Sequence, residues 1–410
     1  MSDGRVEAEH RVTPLELFFD LVFVFAFTRV TTFLSRLPTW GGLLRGLLIL
    51  AVLWWAWSSY AWLTNTFDPE EGLVRLVVLS AAAAMVVASL AVPGAFGADG
   101  VVFAVAYLVV RGLHLVLFTI AGKGDHDLLH AVLRIVPGAL LAATLLIFAG
   151  LSHGSVQLAL WGAAVAVIYI GALVGHMQGW RVSASHFVER FGLIVIIALG
   201  ESIASIGTGA RGISLDAGAI GAALLGFVVA AALWWSYFDW FAYVAQSRLA
   251  EATGEKRAQL ARDAFSYLHL PMVAGIVLFA FGLKTALPDV SRTLPTVPAF
   301  CLVGGIALYL LGHVAVRLRV GGGFGRGRPV AAVVLLAMLP VAMNVSALAA
   351  LGLVAAVCVA LIVYEFFRHR ESRAWIRSHH GEPSREEAAE LYAREMRRRR
   401  GGPTETERTE

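Results

Sequence analysis

Ionisable side chains lie inside a stretch of sequence that is otherwise apolar. Residues 186–206 read HFVERFGLIVIIALGESIASI, which is long enough for a helix that crosses a bilayer. This stretch carries His186, Glu189, Arg190 and Glu201. A carboxylate as deep as Glu201 costs about 2.5–3.5 kcal/mol on insertion scales unless something pairs with it. Such a residue indicates a site that accepts a proton, conducts an ion or forms a buried ion pair.

A second pair of carboxylates lies in the first apolar segment. Glu16 and Asp20 are four residues apart, so they share one face of a helix. Two carboxylates at this spacing repel each other unless one holds a proton or a cation lies between them. The functional interpretation is a proton or cation acceptor at the mouth of a cavity. The alternative is that both are solvated at headgroup level and paired with arginine or with backbone amides.

The whole composition indicates a polytopic membrane protein. The 410 residues are 58% hydrophobic and 15% charged, which is too apolar for a soluble globule. The net charge of +4 fits the asymmetry of membrane loops better than nucleic-acid binding. We predict an all-α fold of twelve transmembrane spans at 14–35, 41–63, 73–93, 101–121, 132–151, 156–177, 186–208, 217–245, 265–287, 295–317, 329–347 and 349–367.

Basic residues predict the orientation of these spans. Lysine and arginine concentrate in the linker 246–264, the loop 321–329 and the C-terminal tail, whereas the opposite loops contain few. By the positive-inside rule, both termini are expected in the cytoplasm. Gly171 and Gly175 in the sixth span predict close helix contact, within the chain or between protomers of an oligomer.

An internal repeat is the second organising feature. The first and seventh spans align at an offset of 173, and the tryptophan-rich second and eighth spans follow in the same order. We therefore predict two parallel six-span halves, 1–177 and 178–367, followed by a polar basic tail at 368–410. Chance similarity between tryptophan-rich apolar helices is the alternative.

The repeat predicts a partner for Glu201. Arg190 is three turns away, about 16 Å along the helix, and cannot pair with it directly. Thr28 aligns with Glu201, so the neighbouring Arg29 is expected at the same depth and is the predicted counter-ion. A transport or gating role and a purely structural ion pair both remain open.

Two motifs carry a resemblance to a known family. Residues 16–26 (ELFFDLVFVFA) and residues 189–203 (ERFGLIVIIALGESI) resemble the low temperature requirement A family of bacterial membrane proteins, and the similarity covers most of residues 10–367. The resemblance implies a multi-span protein of the bacterial inner membrane, connected in the founding example with growth in the cold. It implies no substrate and no catalytic residue.

Further titratable residues are expected in the cytoplasmic half of the spans. Several such groups at one depth predict a water-filled vestibule or a proton relay, although a single intramembrane histidine is more often a packing residue. The group consists of Arg111, His114, Glu189, Asp239, His269 and His313. His126 and His130 lack a third ligand at a known spacing, so neither a metal site nor a cofactor is predicted.

These residues favour a transporter-like or channel-like protein with a pathway for a proton or a small solute. No nucleophile or metal motif of recognised spacing is present, so an enzyme that acts on lipid is the second hypothesis. A scaffold or sensor with the basic tail as its output is the third.

Overall fold

The computed structural model describes residues 12–66, 72–121, 125–175, 177–212, 214–239 and 241–368, which fold almost entirely into helices. In chain order these are α1 (Pro14–Arg36), α2 (Trp40–Thr66), α3 (Gly72–Ala91), α4 (Gly100–Ala121), α5 (His126–Gly150), α6 (Gly154–Val174), α7 (Ala184–Gly209), α8 (Ala217–Phe238), α9 (Phe241–Glu251), α10 (Gly254–Ala261), α11 (His269–Ala286), α12 (Thr296–Arg319), α13 (Gly327–Ala337), α14 (Leu339–Ala342) and α15 (Ala347–Arg368). Single 3-10 turns lie at Val92–Gly94 and Leu287–Asp289, and a π-helical segment at Arg262–Tyr267 joins α10 to α11.

Eleven helical segments of the described chain are long and apolar enough to cross a bilayer. They correspond to the predicted spans except the eleventh, and they confirm a multi-pass all-α membrane protein. Three of them are composite: α3 continues into the 3-10 turn at Val92–Gly94, α8 and α9 form one segment, and α10, the π-helical segment, α11 and the 3-10 turn at Leu287–Asp289 form another.

The predicted eleventh span, 329–347, is wrong as a continuous helix. Its residues form α13 and the four-residue helix α14, which are separated at Met338. Pro340 lacks an N–H and its ring clashes with the preceding turn, so it interrupts the α-helix. The chain nevertheless returns along α12. Ala347 donates its N–H to the carbonyl of Arg292 at 2.7 Å, and residue 292 precedes the start of α12.

The helices differ in how much of their surface is buried. Most residues of α2, α11 and α12 are buried, whereas α5 and α6 leave much of their apolar surface exposed. The backbones of α11 and α12 touch, because a Cβ atom added at Gly275 would lie 2.4 Å from the carbonyl oxygen of Gly305. Small residues permit this approach between membrane helices.

The described residues before Ile362 belong to one compact unit, and Ile362–Arg368 complete α15 in a second. The predicted boundary between halves at 177 stays a prediction. The predicted basic tail, apart from Arg368, lies outside the described residues.

Candidate functional site

Local hydrogen bonds at the start of α1 hold Glu16 in place. Thr13 is the N-cap residue and Pro14 occupies the first helical position, where a missing N–H costs nothing. The backbone N–H of Glu16 donates to Thr13 Oγ1 at 3.3 Å, and the N–H of Thr13 donates to Glu16 Oε2 at 2.9 Å. This reciprocal capping box uses one carboxylate oxygen of Glu16. The other oxygen faces α7.

Helix α7 presents two basic side chains to these carboxylates. Arg190 Nη2 lies 2.9 Å from Asp20 Oδ1, and Arg190 Nε lies 3.7 Å from Glu16 Oε1. His186 Nε2 lies 3.2 Å from Glu16 Oε1. Each of the four side chains is at most 1% exposed. We call Glu16, Asp20, His186 and Arg190 the charge tetrad.

The spacing of four residues on both helices produces this arrangement. Glu16 and Asp20 lie one turn apart on α1, and His186 and Arg190 lie one turn apart on α7. The two pairs therefore meet as facing rows. The alternative interpretation from sequence, carboxylates paired with arginine, describes this contact, but the carboxylates are buried rather than solvated.

Helix α2 completes the surroundings of the charge tetrad. Trp57 donates its indole N–H to Asp20 Oδ1 at 2.8 Å, and its ring centroid lies 6.0 Å from Arg190 Cζ. Asn65 contacts the second ring nitrogen of His186, with Nδ2 to Nδ1 at 3.1 Å. Ser183 fixes the orientation of Asn65, because its backbone N–H donates to Asn65 Oδ1 at 2.9 Å.

These contacts assign the tautomer of His186. The Asn65 amide donates to Nδ1, so Nδ1 accepts and the ring proton is on Nε2, which donates to Glu16. The charge tetrad therefore places two carboxyl groups opposite one guanidinium and one imidazole. Asp20 Oδ2 has no hydrogen-bond partner among the described residues.

Glu201 lies further along α7 in different surroundings. Thr31 donates its hydroxyl to Glu201 Oε1 at 2.6 Å, Ser205 donates to the same oxygen at 3.1 Å, and Thr28 contacts Oε2. Lys284 of α11 attracts this carboxylate electrostatically, and its Nζ donates to Thr32 Oγ1 at 3.4 Å. We call Thr28, Thr31, Glu201 and Ser205 the hydroxyl cluster.

The predicted pair between Arg29 and Glu201 is wrong. No ion pair joins these two side chains, both of which the structure describes. Thr28 faces Glu201, as the repeat alignment places it, and Arg29 is turned about 100° around the helix from Thr28. Its guanidinium carbon lies 5.8 Å from the Phe25 ring centroid instead.

The remaining predicted site residues lie in several separate groups, of which one consists of His269 and His313, both packed on the rings of Tyr237 and Phe241. His269 Nδ1 donates to the carbonyl of Ala264 at 2.9 Å, and its Nε2 lies 3.0 Å from the hydroxyl of Tyr237. His313 donates to the carbonyl of Tyr309 at 3.1 Å. These contacts fit the alternative of histidines that pack helices. Glu189 is exposed and accepts from the N–H of Val12, and Asp239 is half-buried at the end of α8.

Arg111 and His114 line a cavity, whereas the other four residues of the predicted vestibule are absent from its described lining. The cavity of about 160 Å³ lies between α2, α4, α5 and α6, beside the π-helical segment. Arg111 donates to the hydroxyl of Ser59, and His114 Nε2 lies 3.1 Å from the Ser59 carbonyl. The cavity is also lined by the polar and aromatic residues Trp55, Trp62, Tyr107, Arg134, Trp180, Arg262 and Ser266.

Several residues of the site carried no recognisable sequence signal. Trp57 and Asn65 contact the charge tetrad, but a tryptophan or an asparagine in an apolar span has many packing roles. Lys284 stands near the end of a span, where lysine ordinarily reaches the interface. The alignment at an offset of 173 predicts Thr28 and Glu201 at one depth, and these two side chains are in contact.

The described residues form eleven long apolar helical segments, and ionisable groups are buried between them. These features indicate an integral membrane protein. The profile of the bacterial low temperature requirement A protein family matches residues 11–363, and the chain belongs to this family. It is also 31% identical over 310 residues to an uncharacterized protein of Rhizobium meliloti (strain 1021), over 72% of this chain and 75% of that one. No solved structure matches the chain.

Proposed function

We propose that this protein is a transporter-like protein of the bacterial inner membrane that moves protons, alone or coupled to a small solute, along the interface between α1 and α7. The observation that carries the proposal is that two carboxyl groups of the buried charge tetrad face one permanently charged guanidinium. Burying an unpaired charge is costly, so such a group tends to bind a proton or another cation.

Hydrogen-bond geometry identifies the atom that would receive the proton. Protonating His186 at Nδ1 would set an N–H against the Asn65 amide, which is itself a donor. Glu16 Oε2 accepts from Thr13 and from His186, and Glu16 Oε1, which has no hydrogen-bond partner among the described residues, still lies 3.2 Å from His186 Nε2 and 3.7 Å from Arg190 Nε. Asp20 Oδ2 has no hydrogen-bond partner within the described chain, so a proton there displaces no existing hydrogen bond. Asp20 is the proposed carrier.

The hydroxyl cluster supplies a second position for the proton. Arg190 and Glu201 are eleven residues apart on α7, which is about 16 Å of rise. A hydroxyl donates one proton and accepts others, so Thr28, Thr31 and Ser205 accommodate either a carboxylate or a carboxylic acid at Glu201. Ser202 Oγ, buried next to Glu201 on the same helix, has no partner among the described residues and is a position for a bound water.

The proposal includes two parallel halves with both termini in the cytoplasm. It is supported by the order of packing: α1 contacts α2, α3 and α7, while α7 contacts α8, α11 and α1. Contacts then run from α3 to α4 to α5, and from α11 to α12 to α13.

Proton flux in proteoliposomes tests this function. The full chain is reconstituted with a pH-sensitive dye inside, and a pH gradient is imposed with potassium and valinomycin to clamp the membrane potential. Wild-type protein should dissipate the gradient faster than empty vesicles. Asp20→Asn should remove most of this flux, because an amide cannot carry a proton between two sides.

The control is Glu251→Gln, which alters an exposed carboxylate paired with Arg248. It should retain wild-type flux at equal protein incorporation. Wild-type vesicles that match empty ones, under the pH gradient alone and with candidate small solutes added, would overturn the proposal and favour the scaffold hypothesis. Equal flux in wild type and Asp20→Asn would remove Asp20 from the pathway.

A further inference from the structure

We propose that the cavity between α2, α4, α5 and α6 binds the phosphate group of an anionic membrane lipid. This inference goes beyond the proposed function, because a lipid bound there requires no proton movement. It rests on the charge of the cavity, on unpartnered polar atoms and on the position of its exposed arginine.

Buried nitrogen atoms in the cavity lack partners. Arg111 is 5% exposed, and its Nε donor has no hydrogen-bond partner among the described residues. His114 is 2% exposed, and its Nδ1 atom also has none; because Nε2 donates to the Ser59 carbonyl, Nδ1 is an acceptor in the neutral ring and would donate to an anion only after protonation. A buried guanidinium that is only partly bonded is costly, and a bound anion would satisfy it. These two groups line the cavity side by side.

The lining is cationic without a compensating carboxylate. Arginine contributes three residues to it, Arg111, Arg134 and Arg262, and no aspartate or glutamate belongs to the described lining. Asp263 lies behind Arg262 at 2.8 Å, but it is shared with Arg319, also at 2.8 Å. The local balance therefore stays positive. Arginine presents a planar fork of donors that matches the oxygens of a phosphate.

Arg262 also helps to shape the cavity. Its Nη1 atom donates to the carbonyl oxygens of Ala172 and Leu173 at 3.2 and 3.1 Å, which are free acceptors in the last turn of α6. Arg262 is thereby fixed at the edge of the cavity. It contributes positive charge there, while Arg111 supplies the unused donor.

The exposed arginine argues for a lipid rather than a free phosphate. Arg134 is exposed on α5, two turns from the start of a helix whose surface is apolar. Leu133 and Leu140 beside it are 51% and 50% exposed, which is expected of side chains that face acyl chains. Arg134 therefore lies where a lipid would lie. Basic pockets between transmembrane helices on the cytoplasmic side are suited to anionic headgroups.

Aromatic residues form the remaining wall. The rings of Trp62 and Trp180 meet edge to face at 5.5 Å, and Trp55 packs on Tyr169 at 4.8 Å. Trp62 donates its indole N–H to Ser266 Oγ at 2.9 Å, so its ring is held against the cavity. Tryptophan favours the depth of headgroup and glycerol in a bilayer. A phosphate near Arg111 would place the glycerol of the same lipid among these rings.

Native mass spectrometry tests the proposal. The full chain, purified in an uncharged detergent, is mixed with equal amounts of phosphatidylglycerol and phosphatidylcholine. Wild-type protein should retain phosphatidylglycerol preferentially, and Arg111→Gln should lower that preference about tenfold, because it removes a charge-assisted contact. Arg292→Gln is the matched control, since Arg292 is an arginine of equal charge whose side chain is 83% exposed. It should behave as wild type.

A second series separates the sources of phosphate and guards against misfolding. Arg134→Gln alters an exposed side chain and should lower the preference even where Arg111→Gln does not fold. Competition by glycerol 1-phosphate at a concentration equal to that of the lipid would overturn the assignment to lipid in favour of a soluble phosphate ester. Equal retention of the two lipids by wild type, or an equal loss in Arg292→Gln, would overturn the site itself.

Discussion

The two ends of the interface between α1 and α7 stabilise buried carboxylates in different ways. At one end, Glu16 and Asp20 meet His186 and Arg190 across the interface. At the other, Glu201 meets hydroxyls of both helices. The same pair of helices thus provides fixed charge at one end and neutral donors at the other.

This difference predicts how each end tolerates change. An arginine in a buried ion pair cannot adapt to the loss of its partner, because the guanidinium remains charged. The threonines of the hydroxyl cluster have other acceptors: Thr28 Oγ1 lies 3.0 Å from the carbonyl of Val24, and Thr31 Oγ1 lies 3.0 Å from the carbonyl of Thr28. The charge tetrad should be sensitive to substitution and the hydroxyl cluster tolerant.

Removing the arginine of the charge tetrad should have the largest effect. Arg190→Met fills a similar volume but leaves Asp20 and Glu16 without their main counter-charge. Breaking a buried pair in this way costs about 3–5 kcal/mol of the free energy of unfolding. Unfolding by titrated sodium dodecyl sulfate in mixed micelles measures the loss.

The double variant Asp20→Leu with Arg190→Met is the control for that measurement. It removes both charges, so it should recover at least half of the stability that Arg190→Met loses. If the free energy of unfolding of Arg190→Met alone lay within about 1 kcal/mol of the wild-type value, the charges would be solvated rather than buried.

The hydrogen bond from α2 should matter less than the ion pair. Trp57→Phe keeps an aromatic ring beside Arg190 but removes the donor to Asp20 Oδ1. The expected loss is about 1–3 kcal/mol, the cost of leaving a buried polar group less satisfied. Trp55→Phe is the matched control on the same helix, because Trp55 is half-buried and contacts tyrosine rings rather than a carboxylate. Equal losses in both variants would attribute the effect to packing.

The hydroxyl cluster should tolerate substitution at its centre. Glu201→Gln retains an acceptor for Thr31 and Ser205, and the threonines keep their backbone acceptors. The expected change in the free energy of unfolding is below about 1 kcal/mol, as for one neutral hydrogen bond. The same detergent titration measures it, beside a flux assay that should show reduced proton transfer. A loss comparable to that of Arg190→Met would show that Glu201 is held by charge.

Much of the fold could be predicted from apolar length alone. A run of about 20 apolar residues leaves a backbone in lipid few alternatives to a helix, so most spans lie where the sequence places them. The interruption of the helix around Pro340 was not predicted, because hydropathy is insensitive to a single interrupted turn. Its composition indicates a span, but its backbone does not form one continuous helix.

The candidate site could be predicted by residue but not by contact. Glu16, Asp20, His186, Arg190 and Glu201 were all visible as ionisable groups within apolar runs, and their spacing placed Glu16 and Asp20 on one face of a helix. The partners contributed by α2 and α11 depend on how those helices cross α1 and α7. Spacing along one helix carries no information about a crossing. Trp57, Asn65 and Lys284 were therefore missed as site residues.

Substitution of Arg29 should have the smallest effect on stability, and it tests directly which cation interacts with Glu201 in the hydroxyl cluster. The sequence predicts that Arg29 pairs with Glu201, in which case Arg29→Gln would leave a buried carboxylate unpaired and cost about 3–5 kcal/mol. In the structure Arg29 contacts the Phe25 ring, so the loss should be about 0.5–1 kcal/mol. Lys284→Gln is the comparison, because Lys284 attracts Glu201 electrostatically and should be the more costly of the two. If Arg29→Gln lowered the free energy of unfolding more than Lys284→Gln in the detergent titration, Arg29 rather than Lys284 would be the cation that interacts with Glu201.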